Sequence, residues 1–407
     1  DWRSFAFDGR RVRLLLGGDR FRLADHRTVF DGTAERIEFD DDRIRLHLRD
    51  LQVLFERPLQ QSLYLGTGGS EGDAGLKGRP KPLCYGRCFH VPAVLIDAAT
   101  LTYQVHDGQI SGIDAVFDSG LALSAGTEPP APSHYAVDLA AGTFRLGSAP
   151  DGPVTAHVRG DATGGAYAED AASLMLRIAM RATGLSLIDW GAFAALTLAA
   201  PMAAGFFANQ ETGMLSALDS LADSIGAHFG FNRQGQFTVG RLTEPSVTAT
   251  ESFDDSAIVS LEREPFALPI WRQKLGYARY WRPLSDGESA AALGAEARSD
   301  LAASHRYADA SDPAIQIRHK LAGDTQKDGL LATASDAGAE AARRLALFGI
   351  ARDLFRVRVK TRPYSLSIGS TIRISYPRHG LAGGRNLVLA GLSEDSAFDE
   401  AELTLWG

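Results

Sequence analysis

The residues whose types and spacing come closest to a reactive or metal-binding site are two cysteines with nearby histidines. Cys84 and Cys88 are four residues apart, His90 follows them, and His106 and Asp107 lie at the next predicted turn. A zinc site takes Cys and His ligands, and His106 or Asp107 could supply those still missing. The other interpretation is two partly buried thiols in a strand and a His-Asp-Gly hairpin turn. The lack of further ligands at metal-site spacing favours this second interpretation.

Other signs of catalysis are weak. Neither an H-E-x-x-H motif nor a P-loop occurs, and the Gly-x-Gly pairs lie in polar loops, away from any strand-to-helix junction. Fifty acidic residues produce neighbouring pairs by chance, among them Glu38-Asp40, Asp254-Asp255 and Glu262-Glu264. The sequence therefore predicts a protein that is not an enzyme, with no catalytic residues, no metal site and no required cofactor.

Length and charge limit the remaining classes. A chain of 407 residues accommodates two to four domains, and a net charge of −8 argues against general nucleic-acid binding, which requires an excess of Lys and Arg. Residues 190–208 are uncharged and approach membrane-spanning length. Because Pro201 divides them, a short helix over Trp190–Ala199, a break and a buried strand are predicted, with no membrane span.

The elements around these residues are mostly strands. Residues 1–60 alternate between apolar and charged side chains, as in Arg43–Arg49, and Asp40–Asp42 supply a turn, which predicts an antiparallel sheet. This part is interpreted as a truncated N-terminal β domain, part of a tube-like barrel. Residues 61–160 are predicted to form a β-rich connector domain that begins with a long Gly-rich loop.

The middle of the chain changes period. Residues 161–245 contain two stretches at helical spacing, with Gly184 as a predicted C-cap, followed by a hairpin around Asn232–Gly235, and are predicted to be a small α/β domain. Residues 246–407 are predicted to form a second β-barrel domain with a packed helix at about 335–348, capped by Ser335 or Asp336. The predicted fold is mainly β and multi-domain, with antiparallel barrel or sandwich domains and an α+β insertion.

Several segments resemble one protein family. They are the stretch Leu76–Leu123, the hairpin 226–237, the strand Trp271–Trp281, the segment 374–384 and the closing Leu-Thr-Leu-Trp-Gly of Leu403–Gly407. Together they resemble tail tip and baseplate hub proteins of siphophages, of the type found in alphaproteobacterial phages and prophages. The similarity covers most of the chain, and its motifs are structural.

The sequence departs from the family's pattern at one position, and the resemblance also has an implication for the start of the chain. Tyr280 stands where the family has Asn, which puts in doubt the bonds that this Asn makes. The resemblance also implies a further β-rich portion upstream of Asp1-Trp2.

The resemblance implies a structural role in a virion, with assembly in the bacterial cytoplasm. The chain would form a homotrimeric ring at the end of the tail tube and link it to the central fibre or tip. Its partners would be the distal tail ring, the tail tube, the tape measure and the central fibre. The candidate interface residues are Lys77, Arg79, Lys81, Trp271, Tyr277, Trp281 and Trp406. For each of the four aromatic residues, a core position is the other interpretation.

Two other functions remain as alternatives. A host-surface carbohydrate-binding module would use aromatic side chains on exposed loops, whereas most aromatic residues here lie in strand patterns. A cell-wall hydrolase would use an acidic pair. No segment resembles a peptidoglycan-degrading domain.

Overall fold

The computed structural model describes residues 5–265, 267–395 and 398–407, so the sequence-based expectation about Asp1-Trp2 lies outside the described residues. The predicted mainly β, multi-domain fold is confirmed. The predicted division at 60, 160 and 245 remains a prediction.

The alternating residues near the start form a three-stranded antiparallel sheet of β1 (Arg11–Leu16), β2 (Arg27–Phe39) and β3 (Ile44–Asp50). As predicted, β2 turns into β3 at the aspartate cluster, where the Asp40 N–H donates to the Arg43 carbonyl at 2.9 Å. A short 3₁₀ turn after β3 buries Phe55 against Phe231 and Phe237. This aromatic contact attaches the sheet to the rest of the protein.

Two five-stranded sheets follow and pack face to face. Their strands are β4 (Leu83–Pro92), β5 (Val94–Asp97), β6 (Thr102–Gln104), β7 (Ile110–Asp118), β8 (Leu121–Ala122), β9 (Ser124–Ala125), β10 (His134–Asp138), β11 (Thr143–Leu146), β12 (Val154–Asp161) and β13 (Gly205–Ala208). The strand orders are β13-β4-β12-β7-β8 and β5-β6-β11-β10-β9. One core joins the sheets, with Tyr103 stacked on Phe144 and both packed with Val116 and Val158.

Helices appear where the sequence period changes. They are α1 (Ala171–Met180), α2 (Trp190–Ala199) and α3 (Met214–Ile225), and the hairpin of β14 (Ala227–Phe231) and β15 (Phe237–Arg241) follows them. The predicted order of helix, break and buried strand over residues 190–208 is confirmed. Gly184 as a C-cap is wrong, because α1 already ends at Arg181, whose N–H bonds back to the carbonyls of Ile178 and Ala179.

The second half adds two more sheets and three helices. The strands are β16 (Glu251–Phe253), β17 (Ile258–Pro265), β18 (Ile270–Tyr277), β19 (Arg306–Ser311), β20 (Gly323–Leu331), β21 (Asp353–Val359), β22 (Thr371–Ile374), β23 (Arg385–Asp395) and β24 (Glu400–Trp406). The helices are α4 (Ala295–Ala302), α5 (Pro313–Arg318) and α6 (Ala334–Phe348). The strand orders are β16-β22-β23-β24-β21-β17 and β19-β18-β20.

Helix α6 matches the predicted helix at 335–348, but its cap differs. The Thr333 hydroxyl accepts a hydrogen bond from the Asp336 N–H at 3.1 Å, so neither Ser335 nor Asp336 is the N-cap. A capping residue needs extended backbone just outside the helix, and Thr333 has it, whereas both predicted residues lie inside. Ala337 and Ala341 of α6 share the core of α1 and α3, while the six-stranded sheet has a core of its own.

Candidate functional site

The two cysteines are free thiols in strand β4, as the second interpretation predicts, but they are fully buried rather than partly buried. The predicted hairpin turn at His106 is wrong, because the flanking strands β6 and β7 belong to different sheets. The backbone N–H of Cys84 donates to Nδ1 of His106 at 2.9 Å. Burial raises the pKa of the Cys84 thiol well above its ordinary value, and burial lowers the pKa of His106 to about 4. The described ranges hold no group of three or more Cys, His, Asp or Glu side chains that could bind a metal ion. These residues are therefore packed in the interior, and the raised pKa keeps the Cys84 thiol protonated at neutral pH.

One short pattern in the long loop has the letters of a nucleophile motif. Residues Gly68–Gly72 read G-x-S-x-G, with Ser70 at the centre. The serine of a nucleophile elbow lies on a sharp turn between a strand and a helix. Ser70 is instead exposed in a single 3₁₀ turn within a loop, and the adjacent Glu71 carboxylate binds Lys81 and the N–H of Leu65. The local geometry is that of a folded loop.

The three predicted basic interface residues differ in exposure. Lys77 and Arg79 are exposed, whereas Lys81 is buried. The Lys81 ammonium lies 2.6 Å from a carboxylate oxygen of Glu71 and 5.5 Å from the centre of the Tyr64 ring. Lys81 therefore closes the base of the Gly-rich loop, and Lys77 and Arg79 project from it. An interface role for any of the three stays a prediction.

The four predicted aromatic residues lie in three places. Trp271 and Tyr277 are half-buried near the two ends of β18, and Trp281 follows that strand. Trp406, on β24, is only 3% exposed. The Arg352 guanidinium lies over its ring, 4.8 Å from the ring centre. Trp406 therefore occupies a core position, the alternative interpretation for each of these aromatic residues. An interface role for the four residues stays a prediction.

Residues 280–282 join the sandwich to the α/β part of the molecule. The N–H of Trp281 donates to the Phe89 carbonyl at 3.1 Å, and the N–H of Arg282 donates to the His90 carbonyl at 2.9 Å. Tyr280, which stands where the proteins that the sequence resembles have Asn, donates its hydroxyl to Asp300 at 3.0 Å. The Tyr280 side chain therefore has a defined partner, and this short segment runs beside β4 beyond the residues that pair with β13.

Buried histidines lie beside this junction. The rings of His90 and His157 are 4.5 Å apart, and the His90 ring is 4.3 Å from Tyr280. Burial lowers the pKa of His90 to about 3 and that of His157 to about 4. The buried Nε2 of His157 has no hydrogen-bond partner in the described part of the chain. Both imidazoles are therefore neutral at neutral pH.

These histidines should make the fold sensitive to acid. Unfolded histidine titrates near pH 6.5, so between that pH and about 4 the unfolded chain binds protons that folded His90 and His157 do not. Stability is therefore expected to fall as the pH drops below about 6.5, by about 1.4 kcal/mol per pH unit for each such histidine. Urea unfolding from pH 7 to 4.5 measures this slope. His157→Asn should reduce the slope of stability against pH, whereas His379→Asn, the exposed control, should not. Equal slopes in the unsubstituted protein and both variants would contradict the assignment of this slope to the buried histidines.

A cluster of three arginines and one glutamate joins α6 to the ends of α2 and α3. Glu340 is fully buried, and its carboxylate lies 2.5 Å from a guanidinium nitrogen of Arg241 and 2.7 Å from one each of Arg343 and Arg344. Burial alone would raise the pKa of Glu340, but the hydrogen bonds from Arg343 and Arg344 outweigh it and hold the pKa below its usual value.

The same arginines bind helix-end carbonyls. Arg241 donates to the Ile225 carbonyl at 2.8 Å, and a second Arg241 nitrogen donates to the Ala199 carbonyl at 2.6 Å. Gly226, at φ +61°, ends α3, and a Cβ there would lie 2.2 Å from an Arg343 nitrogen. This cluster was not predicted, although a Glu followed by Arg three and four residues later on a predicted helix is a visible signal in the sequence.

The three-stranded sheet at the start is the most open part of the molecule. In the described part of the chain, β1 and β3 pair only with β2, so each leaves one edge free. Phe39 lies opposite Ile44, and Ile37 lies opposite Leu46, which places these four side chains on one face. Ile44 is 58% exposed, and Leu14 of β1 is 48% exposed. A sheet of this kind is a ready partner for further strands.

Comparisons with known proteins return solved structures alone. No protein-family model and no curated protein sequence matches this chain. A protein from the virion of a native gene transfer agent particle is similar over 87% of this chain and 91% of its own, with 15% identity and a TM-score of 0.47. A tail protein from Neisseria meningitidis MC58 is similar over 82% and 94%, with 12% identity and a TM-score of 0.36.

A third similar structure is the prophage tail protein gp18 from Listeria monocytogenes EGD-e, over 80% of this chain and 87% of its own, with 11% identity and a TM-score of 0.30. The structures to which the chain is similar are thus virion and tail proteins, the class that the sequence resemblance named. No helix within the described ranges has the length and apolar character needed to cross a membrane.

Proposed function

We propose that this protein is a structural subunit of a phage tail tip or baseplate hub, located in the virion. It forms a homotrimeric ring at the end of the tail tube and joins the tube to the central fibre or tip. The observation that carries the proposal is the sheet of β1, β2 and β3, which has exposed apolar side chains and, among the residues that the structure describes, two free edges. Such a surface suits a subunit that adds further strands when it assembles.

The free edges account for the way in which copies would associate. β1 and β3 are different strands, so contact between one edge and the other joins unlike surfaces of neighbouring copies. Interfaces of this heterologous kind generate rings when the rotation between copies closes. Strand addition would satisfy the free backbone groups at each edge and cover Ile44 and Leu46. Three copies would then form the closed ring.

Other surfaces serve the contacts along the tail. The basic loop with Lys77 and Arg79 would touch a neighbouring tail protein, and Lys81 would hold the base of that loop. The proposed partners are the distal tail ring, the tail tube, the tape measure and the central fibre. Trp271, Tyr277 and Trp281 are proposed as secondary contacts. No sequence-specific nucleic-acid binding and no catalytic activity form part of the proposal.

Particle assembly tests the proposal. Averaged images of particles should show three copies around the tail axis, and Ile44→Asp should reduce incorporation at least tenfold because it places a charge on the face to be covered. Val247→Asp is the control, since Val247 is 98% exposed in a loop outside the sheet. A single appendage per particle, or equal incorporation of both variants, would refute the proposed ring.

Two further assays address the alternative functions. Binding of the isolated chain to a glycan array, without ring formation, would favour a carbohydrate-binding module. Clearing of peptidoglycan in a zymogram, lost when an acidic pair is replaced, would establish a hydrolase. Neither result is expected.

A further inference from the structure

We propose that a cavity bordered by α3, the β14–β15 hairpin, β18, β20 and α6 binds a small anionic amphiphile, a carboxylate head on an apolar chain. The cavity has a volume of about 590 Å³. Ligand sites in proteins commonly fall between about 300 and 1,000 Å³ and combine apolar walls with a few polar groups. This inference is independent of the proposed tail function.

One side of the cavity is apolar. Its large aliphatic and aromatic lining residues are Leu242, Leu268, Ile270, Leu347, Phe348 and Ile350. Leu268 is 60% exposed and Ile350 is 58% exposed, so the apolar wall is open to solvent at the rim. Burying such surface against a ligand contributes about 25 cal/mol per Å². The wall therefore suits an alkyl chain.

The other side is cationic. Lys327, Arg343 and Arg344 line it, and Arg343 and Arg344 share the single carboxylate of Glu340 with Arg241. One carboxylate cannot neutralise three guanidinium groups. The carbonyls at the ends of α2 and α3 offset part of the excess, because a helix C-terminus carries about half a negative charge.

Two further charges belong to this side. Asp223 is an acidic lining residue, and Arg352 is already paired with Glu244. Lys327 is exposed and makes no ion pair in the part of the chain that the structure describes. Thr325 and Lys327 are two residues apart on β20 and so face the same side of the sheet. The cavity therefore keeps an excess of positive charge in a protein whose net charge is −8.

This arrangement selects among ligand classes. Nucleic acid would need an extended basic surface to neutralise several phosphates, and the cationic groups here are confined to one wall. A neutral sugar would leave the apolar wall without a partner. A monocarboxylate with a medium-length alkyl chain meets both requirements, since its head faces Lys327 and its chain lies along Leu268 and Ile350.

Calorimetric titration of the full chain with decanoate, and with decanol as the neutral counterpart, tests the inference. Decanoate should bind, and its affinity should fall at least threefold between 50 and 500 mM salt, because a charge pair at a protein surface is screened. Decanol should bind at least tenfold more weakly. Equal binding of the two, or no heat with millimolar decanoate, would overturn the proposal.

Matched variants locate the site. Lys327→Gln should weaken decanoate binding about tenfold, the loss of one charge-assisted contact. Leu268→Asp should abolish binding by placing a carboxylate at the rim. Lys77→Gln and Leu321→Asp change exposed residues outside the cavity lining and should leave binding unchanged. If the controls weaken binding as much as the cavity variants, decanoate binds elsewhere and the site is wrong.

Discussion

Replacing Glu340 with glutamine is expected to lower the free energy of unfolding by about 3–5 kcal/mol, the usual cost of removing one partner from a buried ion pair. Glu340 is fully buried, and three guanidinium groups contact its carboxylate. The neutral amide would leave those charges without a counter-charge, and its own NH₂ group would face nitrogen donors. Equilibrium unfolding in urea measures the change.

Glu296→Gln is the control for this experiment. Glu296 lies on a helix, as Glu340 does, but it is exposed on α4, and its replacement should change stability by less than about 0.5 kcal/mol. The Glu340 loss should also shrink at low pH, because a carboxyl whose folded pKa is lowered contributes stability above its unfolded pKa and loses it as the pH falls. Equal effects of the two variants at pH 7 would show that the arginines are satisfied by carbonyls alone.

Trp281→Ala is expected to cost about 3 kcal/mol, the lower end of the range for removing a large aromatic side chain from a core, because Trp281 is partly exposed. Its ring packs against both the sandwich core and the helical core, with centroids 5.7 Å from Phe206 and 5.9 Å from Phe207. The Arg279 guanidinium lies 4.0 Å from the centre of the Trp281 ring. Urea unfolding monitored by circular dichroism gives the change.

Trp190→Ala is the matched control, since Trp190 is 50% exposed at the start of α2. The control should cost less than about 1 kcal/mol. Trp281→Phe should recover a good part of the loss, because an aromatic ring still fills the space between the cores. If Trp281→Ala were as mild as the control, the two cores would not depend on this contact.

Local patterns in the sequence predicted those helices and strands whose formation depends on interactions between residues close together in the chain. The helix Trp190–Ala199 and the strand after Pro201 were predictable, because helix period and the proline break act within a few residues. The partner of that strand was not. β13 pairs with β4, whose residues lie more than a hundred positions earlier, and no short-range pattern encodes such a pairing.

The functional surfaces were predicted less well, because a charged residue looks the same in sequence whether it is exposed or buried. Lys77 and Lys81 are both lysines in one basic segment, yet only Lys77 is exposed, since Glu71 binds Lys81. The spacing of Glu340 and its two arginines was equally compatible with an exposed helix face. Burial depends on what packs against α6, and that is a property of the whole fold.

The open sheet also determines when a subunit is most vulnerable. In the described part of the chain, the edges of β1 and β3 are free, and before the proposed assembly any extended chain could add to them, whether or not it is the correct partner. The charged side chains between the apolar ones, such as Arg45 and Glu38, slow unwanted pairing without preventing it. The proposed function therefore implies that newly made subunits have a limited time in which to meet their neighbours, so their yield should depend on the rate of synthesis as well as on final stability.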